Sequence, residues 1–225
     1  MFFSPLSFFF MVIFFVIIGF VFTMVQVNVI ALAFEKIGIP SHYVFGALFA
    51  SFLGSLINIP VKKVRQQTMT TRRRARFFGL HYVVPAVRNN FTVIAVNVGG
   101  AVVPCAISAF LLFKTSLYLQ ALIATACVTF AAYRLARPVP GVGIALPFFL
   151  PPFLAAVVSV IVAREHAPIV AYIAGSLGTI IGADILNLKK ISELGAPIAS
   201  IGGAGTFDGI FLSGILAVIL SALFT

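Results

Sequence analysis

Charge is scarce in this 225-residue chain: 9% of its residues are Asp, Glu, Lys or Arg and 61% are hydrophobic, whereas about a quarter of a soluble domain is charged. That excludes the soluble globular class and points to an integral membrane protein. Acids are scarcer still, with five carboxylates against fifteen Lys and Arg, a formal net charge of +10. An acid inside hydrocarbon therefore needs a reason to be there. The two cysteines, Cys105 and Cys127, lie in apolar segments and suggest neither a disulfide framework nor a metal site. Three histidines, His42, His81 and His166, flank span ends without companion ligands, so no metal and no cofactor is expected. The first apolar segment has no basic n-region and no small-residue cleavage site, and is expected to be a retained helix.

What the chain does have is long apolar runs. Windows of about 20 apolar residues predict seven spans, near 6–33, 41–60, 91–113, 116–133, 148–163, 167–188 and 198–225. The expectation is an all-α, polytopic, single transmembrane domain over 1–225, with a basic loop over 61–90. Lys62, Lys63, Arg65, Arg72, Arg73, Arg74 and Arg76, then Arg134 and Arg137, then Lys189 and Lys190 fall in alternate loops, on one face. By the positive-inside rule that face is cytoplasmic, which puts the N-terminus inside a plasma (inner) membrane and Thr225 outside. No aromatic interleaving or binding module accompanies the Arg run. No nucleic-acid partner is expected, and anionic lipid headgroups are the expected partner of the basic loop. The segment PVPGVGIALPFFLPP (138–152) cannot be a regular helix and reads as a stiff connection, with a re-entrant loop as the alternative.

An internal repeat emerges at an offset of 129 residues. HYVFGALFASFLGSLIN (42–58) aligns with AYIAGSLGTIIGADILN (171–187), pairing Tyr43 with Tyr172, Gly46 with Gly175, Leu48 with Leu177 and Asn58 with Asn187. A Lys pair follows each, and then NVGGAVVP (97–104) and SIGGAGTFD (200–208). Asp184 falls opposite Ser55, and Asp208 opposite Cys105, so only the second copy carries carboxylates.

Both acids fall at a similar depth. Asp184 lies about one turn, roughly 6 Å, from the cytoplasmic end of the sixth span. The seventh span starts on the same side, and if GGAG is unwound, as three glycines permit, its helix begins near Thr206 with Asp208 in the first turn. Gly175, Gly178 and Gly182 lie opposite Asp184, and Gly205, Gly209, Ser213, Ala217 and Ser221 form a small-residue stripe for close packing. Two carboxylates a few ångströms apart cannot both ionise readily, which makes them an acid and a base. That is the chemistry of an aspartyl peptidase: one takes a proton from water while the other polarises the scissile carbonyl. Asp184 and Asp208 are the catalytic candidates; Gly202, Gly203, Gly205, Thr206 and Asn187 are the substrate-binding candidates, and a membrane protein or membrane-anchored peptide is the expected substrate. Two alternatives remain open. Gly99–Gly100 and Gly202–Gly203 occupy corresponding positions of two repeats, the pattern of a midplane site in a proton- or cation-coupled transporter of a small solute. In a purely structural role, Asp208 caps a helix and Asp184 bonds to Asn187 or a loop lysine near the interface. Asn89, Asn90 and Asn97 line a site or bond between helices.

The blocks EKIGIP, LGSLINIPVKK, GTIIGADILNLKK and SIGGAGTFDGIFLSG resemble a prokaryotic multi-pass membrane family known as domain of unknown function sixteen-fourteen, which implies a name and no activity. A looser similarity is to the intramembrane aspartyl proteases of the presenilin, signal-peptide-peptidase and prepilin-peptidase type. These carry catalytic Asp residues on neighbouring helices, one in a Gly-x-Gly-Asp motif. Here Gly182-Ala183-Asp184 lacks the first glycine, and two residues separate Gly205 from Asp208. Ala183 stands where presenilins have Tyr, and no Pro-Ala-Leu equivalent follows Asp208.

Overall fold

The computed structural model describes residues 16–17, 27–65, 74–77, 80–83, 91–139, 143–193, 197–203 and 209–225. Most of these are helical: α1 (27–36), α2 (Val44–Ser55), α3 (Val103–Thr115), α4 (Tyr118–Leu135), α5 (Leu150–Val162), α6 (Ala167–Thr179) and α7 (Gly209–Ala222). Three stretches are long and apolar enough to cross a membrane: Val98–Thr115, Tyr118–Leu135 and Arg164–Lys190. Shorter apolar helices cover Gly46–Ser55, Leu150–Val162 and Ile210–Ala222. Most of the first expected span lies outside the described residues.

Helix α6 is the axis of the bundle, because its small residues let neighbours approach from several sides. Eleven of its residues are buried, including Tyr172, Gly175, Ser176 and Gly178. A Cβ on Gly175 would lie 3.2 Å from the Ala217 Cβ and the Ser213 carbonyl oxygen of α7. One on Gly178 would come within 2.7 Å of Val128 of α4, and Gly182 is closed off in the same way by Thr129 and Ala132. The glycines thus divide between α7 and α4. Tyr172 and Ile173 then join Phe34, Val44, Leu111, Phe211 and Val218 in the largest apolar cluster.

A sheet corrects the all-helical expectation. Strands β1 (Asn58–Arg65), β4 (Phe91–Asn97) and β7 (Ile198–Ile201) pair in the order β1-β4-β7. Strands β1 and β4 run antiparallel, with a register shift between Pro60 and Lys62, while β4 and β7 run parallel, Val96 opposite Ile201. The openings of the third and seventh expected spans are therefore extended. FTVIAVN is rich in β-branched residues, which favour a pleated, half-buried surface, and a run of apolar residues alone cannot distinguish strand from helix. Pro60 sits in an edge strand, where its missing N–H is tolerated. Two hairpins complete the strands: β2 (Arg74–Phe77) with β3 (Leu80–Val83), inside the basic loop, and β5 (Arg137–Val139) with β6 (Gly143–Ala145). The second hairpin occupies the first part of 138–152, and the last part belongs to α5, with Pro151 and Pro152 in its first turn, where proline is accepted.

A lysine is anchored at each end of the bundle. The Lys190 ammonium stands 5.4 Å over the Tyr133 ring, beside Arg134 on α4. At the other end the Lys114 Nζ donates to the Gly38 carbonyl at 2.8 Å.

Candidate functional site

Helix α6 does not stop at Thr179 but widens into a π-helical turn, Ile180–Ile185. Its closing bond runs from the Leu186 N–H to the Ile181 carbonyl at 2.9 Å. Such turns leave carbonyls out of the regular ladder and recur at functional sites. Asn187, 1% exposed, satisfies two of them: its Nδ2 donates to Gly182 O and Ala183 O, both at 3.0 Å. Asn187 therefore braces the turn from its buried side. The charged residue this turn carries, half-buried, is Asp184.

Strand β7 delivers the partner of that acid. The chain leaves β7 through Gly202 (φ +87°) and Gly203 (φ +93°), a left-handed backbone that glycine adopts without penalty. Space requires glycine at the first position too, since a Cβ on Gly202 would sit 2.6 Å from the Ala101 nitrogen. So held, the Gly202 N–H donates to Asp184 Oδ2 at 2.8 Å. Among the described residues, the Gly202 N–H is the one donor to this carboxylate. The glycine segment is non-helical at Gly202 and Gly203, as expected; the first described residue of α7 is Gly209.

The Ala101 that confines Gly202 belongs to a second π-helical turn, Val98–Val102. Asn97 organises it: Oδ1 accepts the Gly100 N–H at 2.8 Å, and Nδ2 donates to Ser55 O at 2.7 Å and to Asn58 Oδ1 at 3.1 Å. Ser200 of β7 donates its hydroxyl to the same Asn58 oxygen. Beside this knot Gly99 crosses α2 so closely that a Cβ would overlap the Ser51 carbonyl oxygen and the Ser55 nitrogen, and Ser51 Oγ donates to Gly99 O at 3.0 Å. Asn97 thus bonds across the strands and to α2. Replacing it strands several buried groups at once. Asn97→Ala is expected to lower stability by about 2–4 kcal/mol, read as a lower unfolding midpoint in detergent, while Lys62→Ala on the exposed strand β1 leaves the midpoint in place.

Of the candidate residues, the structure joins Asp184 to Gly202 and sets Asn187 behind the first, with Gly203 following. Asp208, Gly205 and Thr206 lie outside the described residues, as do Asn89 and Asn90. Next to the gap, Ile210 packs in one cluster with Ile180 and Ala101, and Ile201 lies against it. The start of α7 therefore rests on both π-helical turns. Among the described residues no group of three His, Cys, Asp or Glu could hold a metal ion. Sequence reasoning missed the Asn58–Ser200 bond and the role of Ala101 as the wall behind Gly202. Asn58 carried a signal, its pairing with Asn187 in the repeat; Ser200 carried none.

These features define a helical membrane-type protein in which two glycine-broken segments meet beside one half-buried carboxylate. The family described as "Protein of unknown function (DUF1614)" matches residues 52–220, and the chain belongs to it. No curated protein and no solved structure matches the chain.

Proposed function

We propose that this protein is a membrane-embedded aspartyl peptidase whose dyad is Asp184 and Asp208. The observation that carries the reading is the bond from the Gly202 N–H to Asp184 Oδ2. It ties the carboxylate to the segment that reaches Asp208 six residues later. The packing of Ile210 on Ile180 draws the start of α7 toward the turn that bears Asp184. In this reading the ionised member of the pair activates water and the protonated member polarises the scissile carbonyl. The amide of Gly202 orients Asp184. Strand β7 ends the three-stranded sheet among the described residues, and an extended substrate segment pairs with its outer edge by strand addition. The substrate is a membrane protein or membrane-anchored peptide.

The same reading takes the chain as seven spans with its N-terminus in the cytoplasm, the basic loop against anionic headgroups, and α2–α3 and α6–α7 as two copies of one unit. Two facts support the repeat. Ser55 and Asp184, paired at the offset of 129, each lie against the glycine that opens the following segment of their copy, Gly99 and Gly202. The strands that enter α3 and lead to α7 lie side by side and parallel.

A second reading is a proton- or cation-coupled transporter. It is favoured by the contact between the glycine breaks themselves, Gly202 against Gly100 and Ala101, since broken helices at a repeat interface line transport sites.

The dyad is tested by its span. In a chain carrying Cys105→Ala and Cys127→Ala, the pair Asp184→Cys and Asp208→Cys is expected to close a disulfide or to be bridged by the shortest bifunctional thiol reagents, because disulfide formation requires Cα atoms within about 7 Å. Bridging only by reagents spanning more than about 10 Å separates the acids too far for one shared water and ends the peptidase reading.

A further inference from the structure

At the end of the bundle away from Asp184, the last residue of α1, the turn Arg164–His166 with the first residues of α6, and Phe224 and Thr225 beyond α7 line a partly open cavity of about 520 Å³. That is within the range of roughly 300–1,000 Å³ typical of small-molecule sites. It lies some 18 residues up the helix from the carboxylate, or about 27 Å at 1.5 Å per residue, and so is separate from the site above. Its polar wall is mostly cationic: Lys36 and Arg164 face it with His166, against the single acid Glu165. Among the described residues neither Lys36 nor Arg164 has a carboxylate within ion-pair distance. Its other wall is apolar, formed by Ile169 and Phe224.

Lys36 and Arg164 outnumber Glu165, the one acidic side chain of the lining, and a concavity of this size with a positive balance favours an anion from outside. The guanidinium of Arg164 offers a planar fork that matches two phosphate oxygens, and Lys36 adds a point charge. His166 contributes a ring N–H donor, and the positive end of α6 adds to the field. The apolar wall suits a group that carries hydrocarbon next to its charge.

We propose that this cavity binds a phosphate-bearing anion, held by Arg164 and Lys36. A phospholipid headgroup and a soluble phosphate share this chemistry, and the experiment separates them. The full-length chain, stripped of lipid in detergent, is titrated with phosphatidylglycerol, with phosphatidylcholine and with inorganic phosphate, and occupancy is read by native mass spectrometry. Phosphatidylglycerol is expected to bind better than phosphatidylcholine. The doubly substituted Arg164→Gln, Lys36→Gln chain is expected to lose about tenfold or more of that affinity, whereas Arg137→Gln, at the opposite end, loses none. Displacement of phosphatidylglycerol by inorganic phosphate at equal concentration assigns the site to free phosphate; retention assigns it to the lipid. Should the double variant fail to stay monodisperse, Arg164→Lys keeps the charge, removes the fork, and is expected to give an intermediate loss. Equal binding of the two lipids by the parent, or affinities unchanged in every variant, overturns the proposal.

Discussion

Asp184→Asn and Asp208→Asn are each expected to abolish cleavage of a helical membrane substrate in detergent or liposomes, with no ion gradient imposed. Asparagine keeps the shape of the side chain and can still accept the Gly202 N–H, so the fold around the π-helical turn should persist and the unfolding midpoint should change little. What disappears is the proton-carrying oxygen. A dyad acts as one unit, so losing either member costs nearly as much as losing both, and the double variant should be no worse than the singles. The loss should be at least about 10³-fold, the scale on which general acid–base groups act. A coupled transporter answers differently. There the same variants retain part of their solute binding but lose its dependence on pH or sodium, because the acid carries the driving ion. If both variants match the parent in cleavage and in gradient-driven uptake, Asp208 is a helix cap and both functional readings fall.

Gly202→Ala is expected to have the second largest effect, for a reason confined to the backbone. At φ +87° an L side chain is strained by about 1–2 kcal/mol. The added Cβ would also stand 2.6 Å from the Ala101 nitrogen and 2.7 Å from the Ala101 Cβ, where backbone must move. Together these cost about 3–5 kcal/mol unless the glycine segment shifts. A shift takes the N–H away from Asp184, and a displacement of about 1 Å at a catalytic group is enough to lower turnover about 100-fold. Lower activity together with a lower unfolding midpoint is the expected pair of results. Gly46→Ala is the control: nothing lies within 4 Å of its would-be Cβ on α2, and alanine in a helix interior is favoured by roughly 0.5–1 kcal/mol. A Gly202→Ala chain as active and as stable as the Gly46→Ala chain would show that the Asp184–Gly202 bond orients nothing.

The candidate site was legible in the sequence only in part. Asp184 stood out because an acid in an apolar run is expensive, and Gly202–Gly203 because paired glycines interrupt a helical pattern. Their mutual contact could not be read there. The residues are 18 positions apart, and their meeting depends on β7 pairing beside β4 in one particular register. Asn187 was legible as a polar residue near the acid, but its direction was not, because a π-helical turn rotates every side chain beyond it relative to a regular helix. Asn97 was visible as one of three asparagines, and only the tertiary structure shows that it ties strand, helix and turn together.

Local chemistry therefore determined the solvent, the family and the coarse helical layout of this protein. Apolar runs, basic loops and proline positions act over one or two helical turns and can be read along the chain. Tertiary structure alone decided that the spans at 91 and 198 open as strands, that glycines of α6 divide between two neighbours, and that one backbone N–H orients the buried-side acid. Each of those outcomes depends on which segments satisfy one another's backbone groups and fill one another's gaps, and such pairings are set by contacts between residues far apart in the chain.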